Sequence, residues 1–386
     1  MLADGHTYQP DPLVLATLLA GVLSYLLAHG GRPSRIRKRP SDLGAVQASH
    51  TIDAPRLGGF AIFVSFLGVT LVTVTRGHDL VLIWSGLIVF LIGAWEDLSG
   101  SVSARRRLIA SMVAAMAAIV LSETTITRLD IRNLDLILSA APLASLLLTI
   151  LLSAAYTHAF NLIDGMNGLS SAAGISTAFA LALAADVHDQ AAIKSTSLLL
   201  AATISGFSIM NWPKGKLFLG DGGAYFVGHT LFWIAVMLAA AVPTLNIASI
   251  ILILFWPIAE LSTTVIRRLI LKSPLSKPDR LHIHQIVRRG IEIATIGRKA
   301  RPLANAMTTL CLLPLVIVPP LLGTKLTNDR STALVSLALC FAIYATSYIT
   351  LVRLASSYKA RRAVSKLVPP PFRRAFRGLR FQTRRS

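Results

Sequence analysis

Apolar residues along the chain fall into eleven runs, at roughly residues 11–29, 58–75, 79–95, 106–121, 137–157, 168–185, 190–210, 222–241, 246–266, 303–322 and 331–353, separated by polar or Gly/Pro-marked breaks. A helix needs about 20 mostly apolar residues to cross a bilayer. The pattern therefore predicts an all-α integral membrane protein, a polytopic bundle of about eleven transmembrane helices. An odd number places the two termini on opposite sides.

Composition sharpens this reading. Of 386 residues, 54% are apolar and 15% charged, against about 25% charged in an ordinary soluble domain, which excludes a soluble enzyme. The net charge is +20, from 38 Lys and Arg against 18 Asp and Glu. In a soluble chain that excess would suggest nucleic acid. Here the bases lie between apolar runs, which points to anionic lipid headgroups and a bilayer, with no nucleic acid as partner. Basic residues collect in cytoplasmic loops. With the N-terminus outside, 32 of the 38 bases fall in inside segments and 6 in outside ones, so the expected orientation is N-out and C-in, in a cell inner (plasma) membrane.

The first run has no base in its flank MLADGHTYQPDP and no small-residue cleavage site after it, and is expected to stay as an anchor. The expected organisation is a membrane-embedded domain over 1–354, with its active site at the cytoplasmic face, and a basic cytoplasmic tail over 355–386. The tail's VPPPFRRAFRGLRFQTRRS suits either a surface-lying segment on anionic lipid or a disordered basic stretch. Cys311 and Cys340 both sit in apolar runs, leaving no disulfide framework or Cys-based metal site.

Carboxylates are scarce, so their placement is informative. Glu96 and Asp97 end the third run, Asp164 follows the fifth, Asp221 precedes the eighth and Asp279 follows the ninth, all on the expected cytoplasmic face. Ionisable groups at a membrane edge are costly unless they serve a site or meet water. In FNLIDGMNGLSS, Asn161, Asp164, Gly165, Asn167 and Gly168 form a tight polar turn that suits anionic or amide-bearing ligands, or simply caps helices. In NWPKGKLFLGDGGAYF, Asp221 lies among Gly220, Gly222 and Gly223, which are expected to leave its carboxylate accessible to a Mg²⁺ shared with a diphosphate. Lys214 and Lys216 beside it would balance phosphate charge, and a helix N-cap accounts for the same aspartate. In SPLSKPDRLHIHQIVRRG, His282, His284, Arg280, Arg288 and Arg289 make a cationic loop suited to phosphate, or a solvated basic loop. Acids for a hard cation, bases for phosphates and one shared face describe phosphoryl transfer with a lipid-linked partner.

Five motifs in order, SHTIDAPRLGG, WEDL, NLIDGMNGL, NWPKGKLFLGDGG and DRLHIHQ, make the chain resemble the polyprenyl-phosphate N-acetylhexosamine-1-phosphate transferases from about residue 35 to 290. The histidine motif is closer to the O-antigen and teichoic-acid starters than to the phospho-N-acetylmuramoyl-pentapeptide transferase of peptidoglycan. The resemblance implies that the phosphate of undecaprenyl or another polyprenyl phosphate attacks the β-phosphate of a UDP-N-acetyl sugar and releases UMP. It implies Mg²⁺, with Mn²⁺ as a substitute, and a homodimer by family analogy. On the same mapping Glu96, Asp97, Asp164, His282 and His284 are catalytic and Asp221 binds the metal. Asn161, Asn167, Asn211, Phe218, Arg56, Lys216 and Arg280 bind nucleotide or substrate. Three positions depart from the family: Glu96 and Asn167 stand where relatives carry Asp, and Gln285 where they carry His. The alternative within this class is the pentapeptide transferase itself, and the rival from another class is a transporter or lipid flippase. It would keep its charges near the midplane, whereas these lie at one face.

Overall fold

A computed structural model describes residues 11–30, 54–73, 77–272, 281–292 and 301–356. Its described residues are helical with no strand, in the order α1 (Pro12–His29), α2 (Gly58–Val72), α3 (Gly77–Ser99), α4 (Ala104–Ser122), α5 (Arg132–Ala140), α6 (Pro142–Ile163), α7 (Leu169–Val187), α8 (Ala191–Asn211), α9 (Gly220–Ala241), α10 (Ile247–Ile253), α11 (Phe255–Ile270), α12 (Ile283–Ile291), α13 (Arg301–Lys325) and α14 (Arg330–Ser356). Arg280, Asp279 and residues 357–386 of the basic tail lie outside the described residues.

Each apolar run coincides with helix. Among the described residues, 8 helices are long and apolar enough to cross a membrane, and 9 if the bent pair α10–α11 is one span. The other two are α2, with 15 residues, and α4, with 19 residues and three arginines in its first turn.

Two runs differ from expectation, and proline is the reason in both. The run 137–157 begins instead at Pro142, which opens α6 and leaves α5 as a separate short helix. The run 246–266 is not one rod: α10 and α11 meet at an angle of 87°. Pro257 has no N–H to give the Ile253 carbonyl, and its ring crowds that carbonyl. The Thr177 hydroxyl of α7 donates to it instead, at 3.3 Å. In a lipid setting such rescue is required, because no water is present to take the freed group.

The centre of the bundle is α9. It is buried along most of its length and packs on α2, α3, α6, α7 and α8. Its first turn comes unusually close to two neighbours. A Cβ on Gly93 of α3 would stand 2.5 Å from the Gly222 Cα, and one on Gly59 of α2 would stand 2.2 Å from the Gly223 nitrogen. Small residues allow such backbone approach where apolar driving force between helices is weak. The loop before α9 pairs with the segment before α2: Gly58 and Gly59 donate to the Phe218 and Leu219 carbonyls at 2.9 and 2.8 Å, and Phe218 donates to the Pro55 carbonyl at 2.9 Å. At the opposite end, Asp130 accepts from the Ile247 N–H at 2.7 Å and Asn246 donates to the Thr327 carbonyl at 2.7 Å, closing the loops there.

Candidate active site

The first turn of α9 has free backbone N–H groups, as every helix start does, and Asp97 at the end of α3 answers two of them. Its carboxylate accepts from Asp221 N at 3.0 Å and from Gly222 N at 2.9 Å. Gly220 makes this fit possible. Its φ of +77° is left-handed, and a Cβ there would stand 2.5 Å from the Asp97 carboxylate. Glu96, one residue earlier, accepts from the Val102 N–H at 2.8 Å, closing the α3–α4 link, and lies within electrostatic reach of Arg107.

Asp221 is not bare. The Arg107 guanidinium of α4 pairs with its Oδ2, and the Tyr225 hydroxyl donates to the same oxygen at 3.5 Å. The glycines around it serve the packing of α9 against α2 and α3 rather than exposure, and the Asp221 side chain is 16% exposed. Asn161 donates to the Tyr225 hydroxyl at 3.3 Å, and the His158 ring packs edge-on against Tyr225 at 5.0 Å.

Asp164 caps the end of α6 and accepts from the Ser170 hydroxyl at 2.7 Å. Burial pushes its carboxyl up to about 6, against the Ser170 bond, which lowers it. Exposed Arg56, before α2, lies within electrostatic reach of both Asp97 and Asp164.

Two asparagines fasten loops. Asn211 accepts from Gly168 N at 2.6 Å and donates to the Leu217 carbonyl at 2.9 Å, so both ends of its amide are spent on backbone. Buried Asn167 donates to the Pro213 carbonyl at 3.1 Å, and its own N–H donates to Asn305 of α13 at 2.8 Å. Lys216 is exposed, and Phe218 is half-buried with its backbone committed to the segment before α2.

His282 and His284, at the start of α12, are not a solvated loop. Both rings are buried, stacked 5.5 Å apart at 5°, and share one carboxylate. Glu260 of α11, 1% exposed, meets His282 Nδ1 at 3.2 Å and His284 Nδ1 at 3.3 Å. Burial lowers the His284 pKa, with Glu260 opposing.

Asp97, Asp164, Asp221 and Arg56 thus share one end of the bundle with Arg107 and Tyr225, which sequence reading did not single out. Arg107 was legible only as a topology charge. Glu260 carried a signal: it is the single charged residue in the apolar run 246–266, and an intramembrane acid suggests a site by default.

Among the described residues, no three His, Cys, Asp or Glu side chains are grouped to hold a metal. Mg²⁺ does not require such a cage, since it commonly takes one or two carboxylates and completes its shell with phosphate and water oxygens. Asp221 fits that use, because its Oδ1 has no partner among the described residues.

A model of glycosyl transferase family 4 matches residues 80–239, which include the acids on α3, α9 and the α6–α7 turn but not Glu260 or the two histidines. The chain is 29% identical over 238 residues to a probable undecaprenyl-phosphate N-acetylglucosaminyl 1-phosphate transferase of Bacillus subtilis, covering 60% of this chain and 64% of that relative. The chain therefore spans just under two thirds of that relative's length. It is 26% identical over 315 residues to a decaprenyl-phosphate N-acetylglucosaminephosphotransferase of Mycobacterium tuberculosis, covering 70% and 74% of the two chains. It is 24% identical over 238 residues to a phospho-N-acetylmuramoyl-pentapeptide-transferase of Bacillus cytotoxicus, covering 58% and 73%.

Proposed function

We propose that the chain, which matches glycosyl transferase family 4 over residues 80–239 and resembles polyprenyl-phosphate N-acetylglucosamine-phosphate transferases, transfers an N-acetylhexosamine 1-phosphate from a UDP-sugar to undecaprenyl or another polyprenyl phosphate. An oxygen of the lipid phosphate forms a bond to the sugar-bearing β-phosphorus, the bond from that phosphorus to the bridging oxygen breaks, and UMP leaves. The observation that carries this reading is the meeting of Asp97, Asp164, Asp221, Arg56 and Arg107 at one end of a bundle of apolar helices. A lipid-borne phosphate and a water-borne nucleotide both reach such a place.

The residues divide the work by chemistry. Arg107 and Arg56 supply fixed positive charge for phosphate oxygens, and a guanidinium offers them two parallel N–H groups. Asp221 would hold a Mg²⁺ together with the diphosphate's own oxygens; the ion would neutralise charge on the leaving phosphate. Asp97 holds the start of α9, and with it Asp221, at one place relative to α3. The site end is assigned to the cytoplasmic face of the plasma membrane, where UDP-sugars are found, and the product would start a surface glycan of the O-antigen or teichoic-acid kind.

The test is UMP release by purified protein offered a panel of UDP-N-acetyl sugars with undecaprenyl phosphate and Mg²⁺. Release that depends on both substrates is expected. No release with any sugar, from protein that is folded and monodisperse, would remove the proposal.

A further inference from the structure

Glu260 lies outside the segment that the family model matches, and none of the five motifs contains it. It is nonetheless the acid that, among the described residues, the structure sets against the two histidines, with one carboxylate oxygen for each ring: Oε2 to His282 Nδ1 at 3.2 Å and Oε1 to His284 Nδ1 at 3.3 Å. The Thr264 hydroxyl, one turn along α11, stands 3.5 Å from His282 Nδ1 on the same side. A carboxylate accepts and does not donate, so each ring must carry its proton on Nδ1. In the neutral ring, Nε2 is then left with its lone pair.

For His284 the position of that lone pair is defined. Nε2 is buried and has no hydrogen-bond partner among the described residues. It is aimed at the Asp164–Gly165 turn, where a Cβ on Gly165 would stand 2.8 Å from it. A buried polar atom without a partner is costly, and this one is held at the turn by two restraints: the Glu260 bond behind it and the stacked His282 ring beside it. Gly165 is the residue type that leaves room there.

We propose that Glu260 is a positioning residue of the transfer site: it fixes the Nδ1–H tautomer of His282 and His284 and turns His284 Nε2 onto the Asp164–Gly165 turn, as a hydrogen-bond and proton acceptor for the phosphate-bearing ligand. The kinetic part of this rests on the proposed transfer reaction; the tautomer does not. Partners of this kind, behind the group that meets the ligand, set ring orientation and basicity.

Two measurements test it. In histidine-labelled wild-type protein, ¹⁵N spectra should show neutral His284 protonated at Nδ1, the signal being identified by its absence from His284→Gln. A ring protonated at Nε2 would overturn the proposal, and this needs no turnover and no Glu260 variant. In the second, Glu260→Gln, which keeps the shape and removes one acceptor, should lower kcat by about 10- to 100-fold while the UDP-sugar KM stays within about 3-fold. Adding it to His284→Ala should cost less than about 3-fold more, because the two act as a unit. Wild-type kcat in folded Glu260→Gln, or losses that multiply fully in the double variant, would overturn the proposal. A wild-type enzyme that releases no UMP from any UDP-sugar would instead remove the transfer reaction and leave the tautomer result standing.

Discussion

Two adjacent acids, Glu96 and Asp97, have different partners and different burdens. Asp97 closes the start of α9 with two charge-assisted hydrogen bonds, whereas Glu96 accepts from the Val102 N–H of the α3–α4 link and lies within electrostatic reach of Arg107. Glu96→Asp is therefore expected to keep UMP release within about 3-fold, since the shorter chain loses one bond at the loop, worth about 1 kcal/mol. Asp97→Asn should lose nearly all activity. It should also lower the thermal midpoint, because an amide can accept from the two N–H groups with one oxygen only. Asp221→Asn is expected to abolish turnover and its Mg²⁺ dependence while the protein still inserts and purifies, since Arg107 loses only one ion-pair partner. Near-normal turnover with unchanged Mg²⁺ dependence would place the ion elsewhere. Arg107→Lys should retain part of the activity, a point charge without the planar fork.

At the scale of helices, the site depends on how closely α9 approaches α2 and α3. Ala is a better helix former than Gly by about 1 kcal/mol, so Gly93→Ala would stabilise an isolated α3. Here its Cβ would fall 2.5 Å from Gly222 Cα and 2.6 Å from the Asp221 carbonyl carbon. The helices must part, and Asp97 then leaves the N–H groups of α9. Reduced thermal stability and at least about 10-fold lower turnover are expected, a loss of the size that a 1 Å misplacement brings. Gly77→Ala, in the same helix, is the control, because its Cβ would meet nothing within 4 Å. Pro257 lies in the first turn of α11, and Glu260, three residues on in the same helix, meets the two histidines.

At the scale of the molecule, the helix ends that carry Asp97, Asp164, Asp221 and the histidines share one end of the bundle, and 32 of the 38 bases fall on that side of the expected topology. A reporter fused after Ser386 is expected to be active in the cytoplasm and silent outside it; the reverse would invert the topology and place the site on the wrong side for UDP-sugars. The helical class, the positions of the runs and the candidate acids were legible in the sequence. Apolar length and the Gly/Asn turns are local properties, carried by residues a few positions apart. The proline breaks at Pro142 and Pro257 were local too and were readable in principle. What only the tertiary structure decided is which charge meets which. Arg107 and Asp221 lie 114 positions apart, and Asp97 and the Gly222 N–H 125 apart; no periodicity links such pairs. Their meeting depends on the crossing of α3, α4 and α9, and that crossing is set by glycine contacts between helices. Glu260 and the histidines are a nearer pair, 22 and 24 positions apart, and still meet only because the chain after α11 returns the start of α12 to the side of that helix, a reversal that no local periodicity encodes.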